Sequence, residues 1–419
     1  MNLRETVKRG AGIALSAIVG SYGVTVSAET SAVYGRSIEL LPRPGYDAEG
    51  LPAGSFRAFP TAALKLDFDD NIFSTDGNEE DDFVLSLRPG LSLLSDWNVH
   101  SLSFGADADF VRYGDNDAED HTNFNAFVLG RYDVNRNTNL RGGLTYARDH
   151  EDRGSPDAAA GTEPTRFGTL NPSFGVFHQA GRFNFDGSAS ARVMNFDDVP
   201  TNGATINNDD RDRTEYDIGL RAAYEYQRYS EVYLRGRYLP RQYKSSVDDN
   251  GQNRDSDGYE LVVGVDAELS GITAGGVFLG YRSQDYDDPA LSTVDGLQFG
   301  ANATWNVLRT TSIKGSVTRS IQETTQNNAS GYFSTTLQVG VDHEVLRNFL
   351  VGGSASFTRS DYEGINREDD DVNLSLFGNY MFDRNFHLRG SYGFTDRDST
   401  VAGSDYQKNV LSLQLLGQF

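Results

Sequence analysis

Arg235 and Arg237 stand two residues apart in the stretch YLRGRYLPRQY, with Arg241 following and Arg221 in the segment before. Carboxylates recur at the same even spacing, Glu215, Asp217 and Glu225 around Arg221, then Glu260, Asp266 and Glu268. In extended chain alternate side chains share a face, so these charges would gather on one face of successive strands. Two chemistries are open to them. Opposite charges facing one another across neighbouring strands neutralise each other; if the tight turn at 227–230 sets the register, Asp217 faces Arg241. Alternatively, guanidiniums clustered beside acids make a transverse field that orients charged or sugar-like solutes. Lys314, Arg389 and Arg397, with Asp107 and Asp109, extend the set.

Other constellations are weaker. Acidic clusters at 76–82, 248–258, 287–289 and 367–371 suit solvated loops whose sign repels anions and favours neutral or cationic solutes. Asn253, Asp255, Asp257 and Gly258 imitate the start of a calcium loop, but Gly264 stands where the bidentate acid belongs, which excludes an EF-hand. No cofactor or dedicated metal site is expected; calcium held loosely by several acidic loops is the alternative. The six histidines are scattered and no Gly-x-Ser-x-Gly elbow accompanies them, so no catalytic residue is assigned. Arg148, Arg319 and Arg359 end apolar-faced segments, where forked guanidiniums suit lipopolysaccharide phosphates. Position alone also explains them, because an outward Arg that costs ~2–4 kcal/mol at the midplane of a bilayer costs almost nothing at its edge.

The elements that must position these residues are strands. From about residue 60 the chain alternates apolar and polar residues in segments of roughly ten to fourteen residues. In GYELVVGVDAEL (258–269), Tyr259, Leu261, Val263, Val265, Ala267 and Leu269 share one face, with Glu260, Asp266 and Glu268 on the other. Short connections such as QAGR (179–182) and QRYS (227–230) alternate with long ones such as 149–165 and 196–212. Sixteen to eighteen such segments, meandering up and down, predict an all-β transmembrane antiparallel barrel over 59–419. In water each strand would leave an apolar stripe uncovered, whereas lipid covers it and the closed sheet satisfies the backbone.

Composition agrees. Zero Cys excludes disulfides and thiolate chemistry, and a net charge of −23 speaks against nucleic-acid binding. Arg4, Lys8 and Arg9 precede an apolar run that ends at Val26-Ser27-Ala28, the pattern of a secretory signal peptide over 1–28. Residues 29–58 lack alternation and carry LPRPGYDAEGLPAGS, which predicts an extended periplasmic segment, with an upward-folding plug as the alternative. At the other end Leu411, Leu413, Leu415 and Phe419 take alternate places, so the last strand presents a greasy face to hydrocarbon and an aromatic ring to the lower interface.

The series DDNIF (69–73), RPGLSLLSDWNVHSLSF (88–104), INNDDRDRTEY (206–216), NRDSDGYE (253–260), QDYDDP (284–289), SGYFSTT (330–336), VDHEVLRN (341–348) and DYEGINREDD (361–370), closed by a terminal Phe, resembles a family of outer-membrane β-barrel porins encoded beside exopolysaccharide-operon genes in Gram-negative bacteria. The resemblance covers about residues 60–419 and implies a role in solute passage or in polysaccharide export, with no catalytic residue. A closed, surface-binding barrel is the third reading. The partners implied are outer-membrane lipid and lipopolysaccharide, the barrel-assembly machinery and, under the export reading, polysaccharide. The ending SLQLLGQF keeps the terminal aromatic of assembly signals but has Leu415 where a second ring often stands.

Overall fold

The computed structural model describes residues 36–158 and 161–419; the signal peptide predicted over 1–28 lies outside the described residues. Eighteen antiparallel strands follow one another around a ring: β1 (Phe56–Asp69), β2 (Asp82–Ser95), β3 (Ser101–Tyr113), β4 (His121–Asn135), β5 (Thr138–His150), β6 (Arg166–Ala180), β7 (Phe183–Phe196), β8 (Arg213–Gln227) and β9 (Ser230–Tyr238, resuming at Arg241–Tyr243). The second half comprises β10 (Ser256–Ser270), β11 (Thr273–Tyr286), β12 (Val294–Leu308), β13 (Thr311–Gln322), β14 (Gly331–Leu346), β15 (Phe349–Glu363), β16 (Glu368–Met381), β17 (Phe386–Ser399) and β18 (Tyr406–Gln418). Each pairs with its sequence neighbours, and β1 pairs with β18 from Thr61 opposite Gln418 to Asp69 opposite Val410. That last ladder closes the barrel and removes both sheet edges. The ring contains the number of strands at the top of the expected range, and its first strand starts at Phe56, three residues before the predicted boundary.

Alternation decides which way each side chain points. Leu64 and Leu66 on β1 and Leu411, Leu413 and Leu415 on β18 are outward and exposed, while Asp67, Asp69, Ser412 and Gln414 share the inner face. Exposed aromatic residues mark both ends of the outer band: Trp97, Tyr132, Phe183, Trp305, Phe386 and Phe419 on the short-turn side, and Phe83, Tyr146, Tyr216, Tyr259 and Tyr281 on the loop side. Rings gather at the two water-hydrocarbon boundaries because one part of each is apolar and the other polar. The turns 136–137, 181–182, 228–229, 271–272, 309–310 and 347–348 span two residues, and Gly181 takes the left-handed conformation that such a turn requires, with φ +66°. β9 breaks at Leu239-Pro240, where Pro240 has no N–H to give; its carbonyl still accepts from Tyr216 N–H at 2.9 Å.

Two features depart from a plain cylinder. Residues 36–49 do not extend away from the barrel as expected, but dock against its inner face at the short-turn end. Ile38, 2% exposed, packs between the inward Leu350 and Met381. The Ile38 N–H donates to Ser312 Oγ at 2.7 Å, and Tyr46 O accepts from Gln418 Nε2 at 3.1 Å. Arg43 is buried and donates to the carbonyls of Ile38, Glu39 and Leu41, turning this polar strand-free chain into a fixed knot. Burial lowers its pKa against the pull of Glu344 and Asp47.

The second departure is a seam. β12 and β13 are paired only from Gly300 opposite Thr318 to Leu308 opposite Thr311, although β13 continues to pair with β14 as far as Gln322. Beyond Thr318, Ile321 and Phe333 lie on the face that carries Val317 and Leu337 outward, yet they are buried with the inward Val294 and Tyr286. The loop-side ends of β13 and β14 therefore lean inside the ring and lap over β11 and β12. A Cβ added at Gly296 would stand 3.2 Å from the Phe333 ring, so glycine is what admits the overlap.

Candidate functional site: the barrel lumen

The predicted charged residues come together on the inner face of β8–β11, and nearly all are paired. Arg221 donates to Glu231 at 2.6 Å and Asp266 at 2.9 Å, with its guanidinium 4.0 Å from the Tyr233 ring. Arg235 donates to Glu260 at 3.0 Å; Arg237 donates to Asp217 through Nε at 3.0 Å and lies 3.5 Å from Glu260. The side chain of Glu260 is fully buried between these two arginines. Pairs of this kind are favourable in a low-dielectric wall only because each member has the other.

One expected pairing is corrected. The turn pair Gln227–Ser230 alone would put Arg241 opposite Tyr216, and the bulge between Glu225 and Gln227 moves it one further, so it stands opposite Glu215, not Asp217. Arg241 binds Glu323 from the inward-leaning end of β13, and Glu323 also accepts from Tyr243 at 3.0 Å and Tyr286 at 2.9 Å. Glu225 faces Glu231 near the short turn, and among the described residues neither Glu225 nor Glu268 makes an ion pair. Sequence reasoning missed Glu231, Glu323, Arg282 and Asp342, although alternation alone places Glu231, Arg282 and Asp342 on the inner face.

Charge continues on the inner face of β1–β5, where Lys65 lies 2.7 Å from Asp67, Arg88 binds Asp109 and Asp107 accepts from Asn125 at 3.2 Å; the neutral stretch is β14–β17. β14–β17 present Ser334, Thr336, Gln338, Ser354, Ser356, Thr358, Asn373, Ser375 and Thr395 inward. Thr336 and Thr358 hydroxyls meet at 2.9 Å, and Thr395 Oγ1 donates to Asn373 at 2.9 Å. In this part of the wall charge returns at the two ends. Toward the short turns Lys314 lies 2.7 Å from Asp342 and 3.5 Å from Glu39 of the docked segment, and Arg389 sits 4.0 Å over the Phe377 ring. Toward the loops Arg397 donates to Asp371 at 2.6 Å and to the carbonyl of Gly154.

Gly154 belongs to the connection 151–165, which leaves β5 and crosses the lumen. Asp157 Oδ1 accepts from Thr324 Oγ1 at 2.8 Å and from Thr325 N–H at 3.0 Å, and Gln326 Nε2 donates to Pro156 O at 2.6 Å. Thr324 to Gln326 follow β13, on the far side of the ring from β5. At its root Arg153 donates to Glu119 at 3.0 Å and Arg211 to Glu151 at 2.9 Å. The loop is thus pinned on both walls and narrows the outer half of the lumen, as residues 36–49 narrow the inner end.

The remaining predicted residues lie off this route. Arg148 and Arg359 face outward at the loop end, the first bound to Asp197 and the second to Asp370 at 2.8 Å; Arg319 is tucked against the Phe333 ring at the seam. Among the described residues no three His, Asp or Glu side chains are placed to share a metal ion. Asp248 instead accepts from the N–H groups of Asn250 and Gln252, both at 2.9 Å, and from Arg254 at 2.7 Å. Burial pushes the Asp248 pKa up, but these donors outweigh it and hold the carboxyl below its usual range. Asp210 goes the other way, raised by burial and by the neighbouring Asp249 and Asp248.

A closed, polar-lined cylinder of eighteen strands narrowed by an infolded loop matches one family model, "Putative beta-barrel porin 2", over residues 43–419. The chain belongs to this family of β-barrel porins. Solved structures similar to the porin include OpdK of Pseudomonas aeruginosa with vanillate, at 11% identity over 86% of this chain and 99% of that one, with TM-score 0.44. OccK2 (OpdF) of Pseudomonas aeruginosa in complex with glucuronate matches at 12% identity over 88% of this chain and 100% of that one, with TM-score 0.49. The siderophore receptor PirA of Pseudomonas aeruginosa matches at 8% identity over 87% of this chain and 80% of that one, with TM-score 0.45. No curated protein sequence matches the porin.

Proposed function

We propose that this porin, a solute channel of the outer membrane, passes small hydrophilic molecules without catalysis and is gauged at the level of the 151–165 loop. The observation that carries this is the wall itself: hydroxyl, amide and ion-paired side chains predominate on the inner face, while the exposed Leu, Val and aromatic residues form the outer band. A barrel of this width cannot be filled by its own side chains, so water occupies the space that the loop and the docked segment leave. Secretory export, contact of Arg148, Arg319 and Arg359 with lipopolysaccharide, and recognition of the Phe419 end by the assembly machinery are parts of the same proposal. Calcium held loosely by the acidic loops stays the alternative to a solvated rim, and the rim is favoured where Asp82, Asp248 and Asp288 already accept backbone N–H groups.

Purified protein added to planar lipid bilayers tests it. Discrete single-channel steps in KCl are expected. Silence over a wide voltage range, from protein whose gel mobility changes on boiling as a folded barrel's does, would overturn the channel reading.

A further inference from the structure

The charged sector contains one guanidinium that its neighbours leave out. Arg282 on β11 faces inward, directly between Glu260 of β10 and Gly296 of β12, and is 9% exposed. Glu260 is engaged by Arg235 and Arg237. Gly296 contributes no side chain, and the Phe333 ring takes the space beside it. Among the described residues Arg282 makes no hydrogen bond and no ion pair, and its buried Nε has no partner. Arg235 Nε, one strand beyond Glu260, is likewise buried and unpartnered. The other charges around Arg282 are Arg241 and Arg237 on the positive side and Glu260 and Asp217 on the negative, the last two already bound.

A guanidinium buried to this degree is stable when an anion meets it, because its five N–H donors lose water and need acceptors. Its planar fork fits a carboxylate through two parallel hydrogen bonds. We propose that Arg282 forms an anion subsite on the lumen wall that takes the carboxylate of a small hydrophilic organic acid. The subsite rests on the channel reading above and adds a solute class to it. The acidic loops slow the arrival of such a solute; the subsite sets how long it stays.

Gluconate and sorbitol differ by a carboxylate in place of an alcohol and share an open hydroxylated chain, so they isolate the charge. In bilayer recordings gluconate should interrupt the current for about tenfold longer than sorbitol, the factor that one charge-assisted hydrogen bond supplies. Arg282→Gln should erase that difference, and Arg282→Lys, which keeps the charge without the fork, should leave part of it. Glu260→Gln should lengthen the gluconate events, because it removes the carboxylate that stands opposite Arg282 on the neighbouring strand. Equal interruptions by gluconate and sorbitol, or gluconate events unmoved by Arg282→Gln and Glu260→Gln in barrels of normal heat-shifted mobility, overturn the subsite. If no steps are seen in KCl the channel reading fails by itself, and calorimetry of gluconate against the detergent-solubilised barrel decides the subsite: heat that Arg282→Gln removes supports it, no heat overturns it.

Discussion

The two long sectors of the inner wall solve the same problem differently. On β8–β11 the inward positions are arginines and carboxylates zipped into pairs, with Glu260 buried beneath Arg235 and Arg237. On β14–β17 they are hydroxyls and amides that meet one another singly, as Thr336 and Thr358 do at 2.9 Å. Paired charges are strong but interdependent, since each is tolerable only while its partner remains. Neutral hydroxyl pairs are weak and independent, because water replaces either partner at little cost. One sector therefore fixes shape and field, and the other provides a wall along which water and sugar-like solutes exchange hydrogen bonds.

The sharpest way to break this contrast is Glu260→Ala. It strips the acid from two arginines in a buried place, and removing one partner from such a set costs about 3–5 kcal/mol. The temperature at which the folded gel form is lost should fall markedly. An unchanged transition would mean that the charged sector is as independent as the neutral one.

The infolded loop tests whether the sectors act together. Asp157→Ala removes the acceptor for Thr324 and Thr325 and loosens the loop on the β13 side, where only the Gln326 hydrogen bond to Pro156 is left among the described residues. Larger and noisier conductance steps are expected, with barrel stability almost unmoved, since the 151–165 connection contributes no strand. Steps of wild-type size and quietness would show that the Gly154–Arg397 and Pro156–Gln326 contacts hold the constriction without Asp157.

The field of the charged sector is tested by Arg235→Ala with Arg237→Ala. The double change leaves Glu260 and Asp217 without the arginines bonded to them. The reversal potential in a KCl gradient should move toward that of potassium. No movement would assign the pairs to structure alone, which is the other reading their spacing allows.

How much of this was legible in the sequence follows from what period two can encode. Eighteen strands, their in-out alternation and the short-long rhythm of connections were readable because each is local. The partner of Arg241 was not, since one bulge at Glu225–Gln227 moves the register without changing any residue type. The crossing loop was hidden because its anchors are a carbonyl at Gly154 and two threonines far along the chain. The docking of residues 36–49 was hidden likewise, as Ile38 has no periodic neighbours and finds its apolar partners on β15 and β16. Arg282 escaped notice because the four inner positions before it, Ala274, Gly276, Phe278 and Gly280, carry no polar signal, and the polar Gln284 and Tyr286 follow only at the loop end of the strand.

The smallest effect is the one that confirms the neutral sector is what it looks like. Thr336→Val with Thr358→Val deletes both hydroxyls of a facing pair while keeping their shape, and replacing both partners together costs ~1 kcal/mol or less. Thermal stability and KCl selectivity should both stay near wild type, because no charge is uncovered and no buried group is left without a partner. Sorbitol should nonetheless feel the change, since two acceptors along its path become methyl groups, and its interruptions of the current should shorten. A large loss of stability would instead mean that the pair is part of a network as interdependent as the one around Glu260, and the distinction between the two walls would disappear.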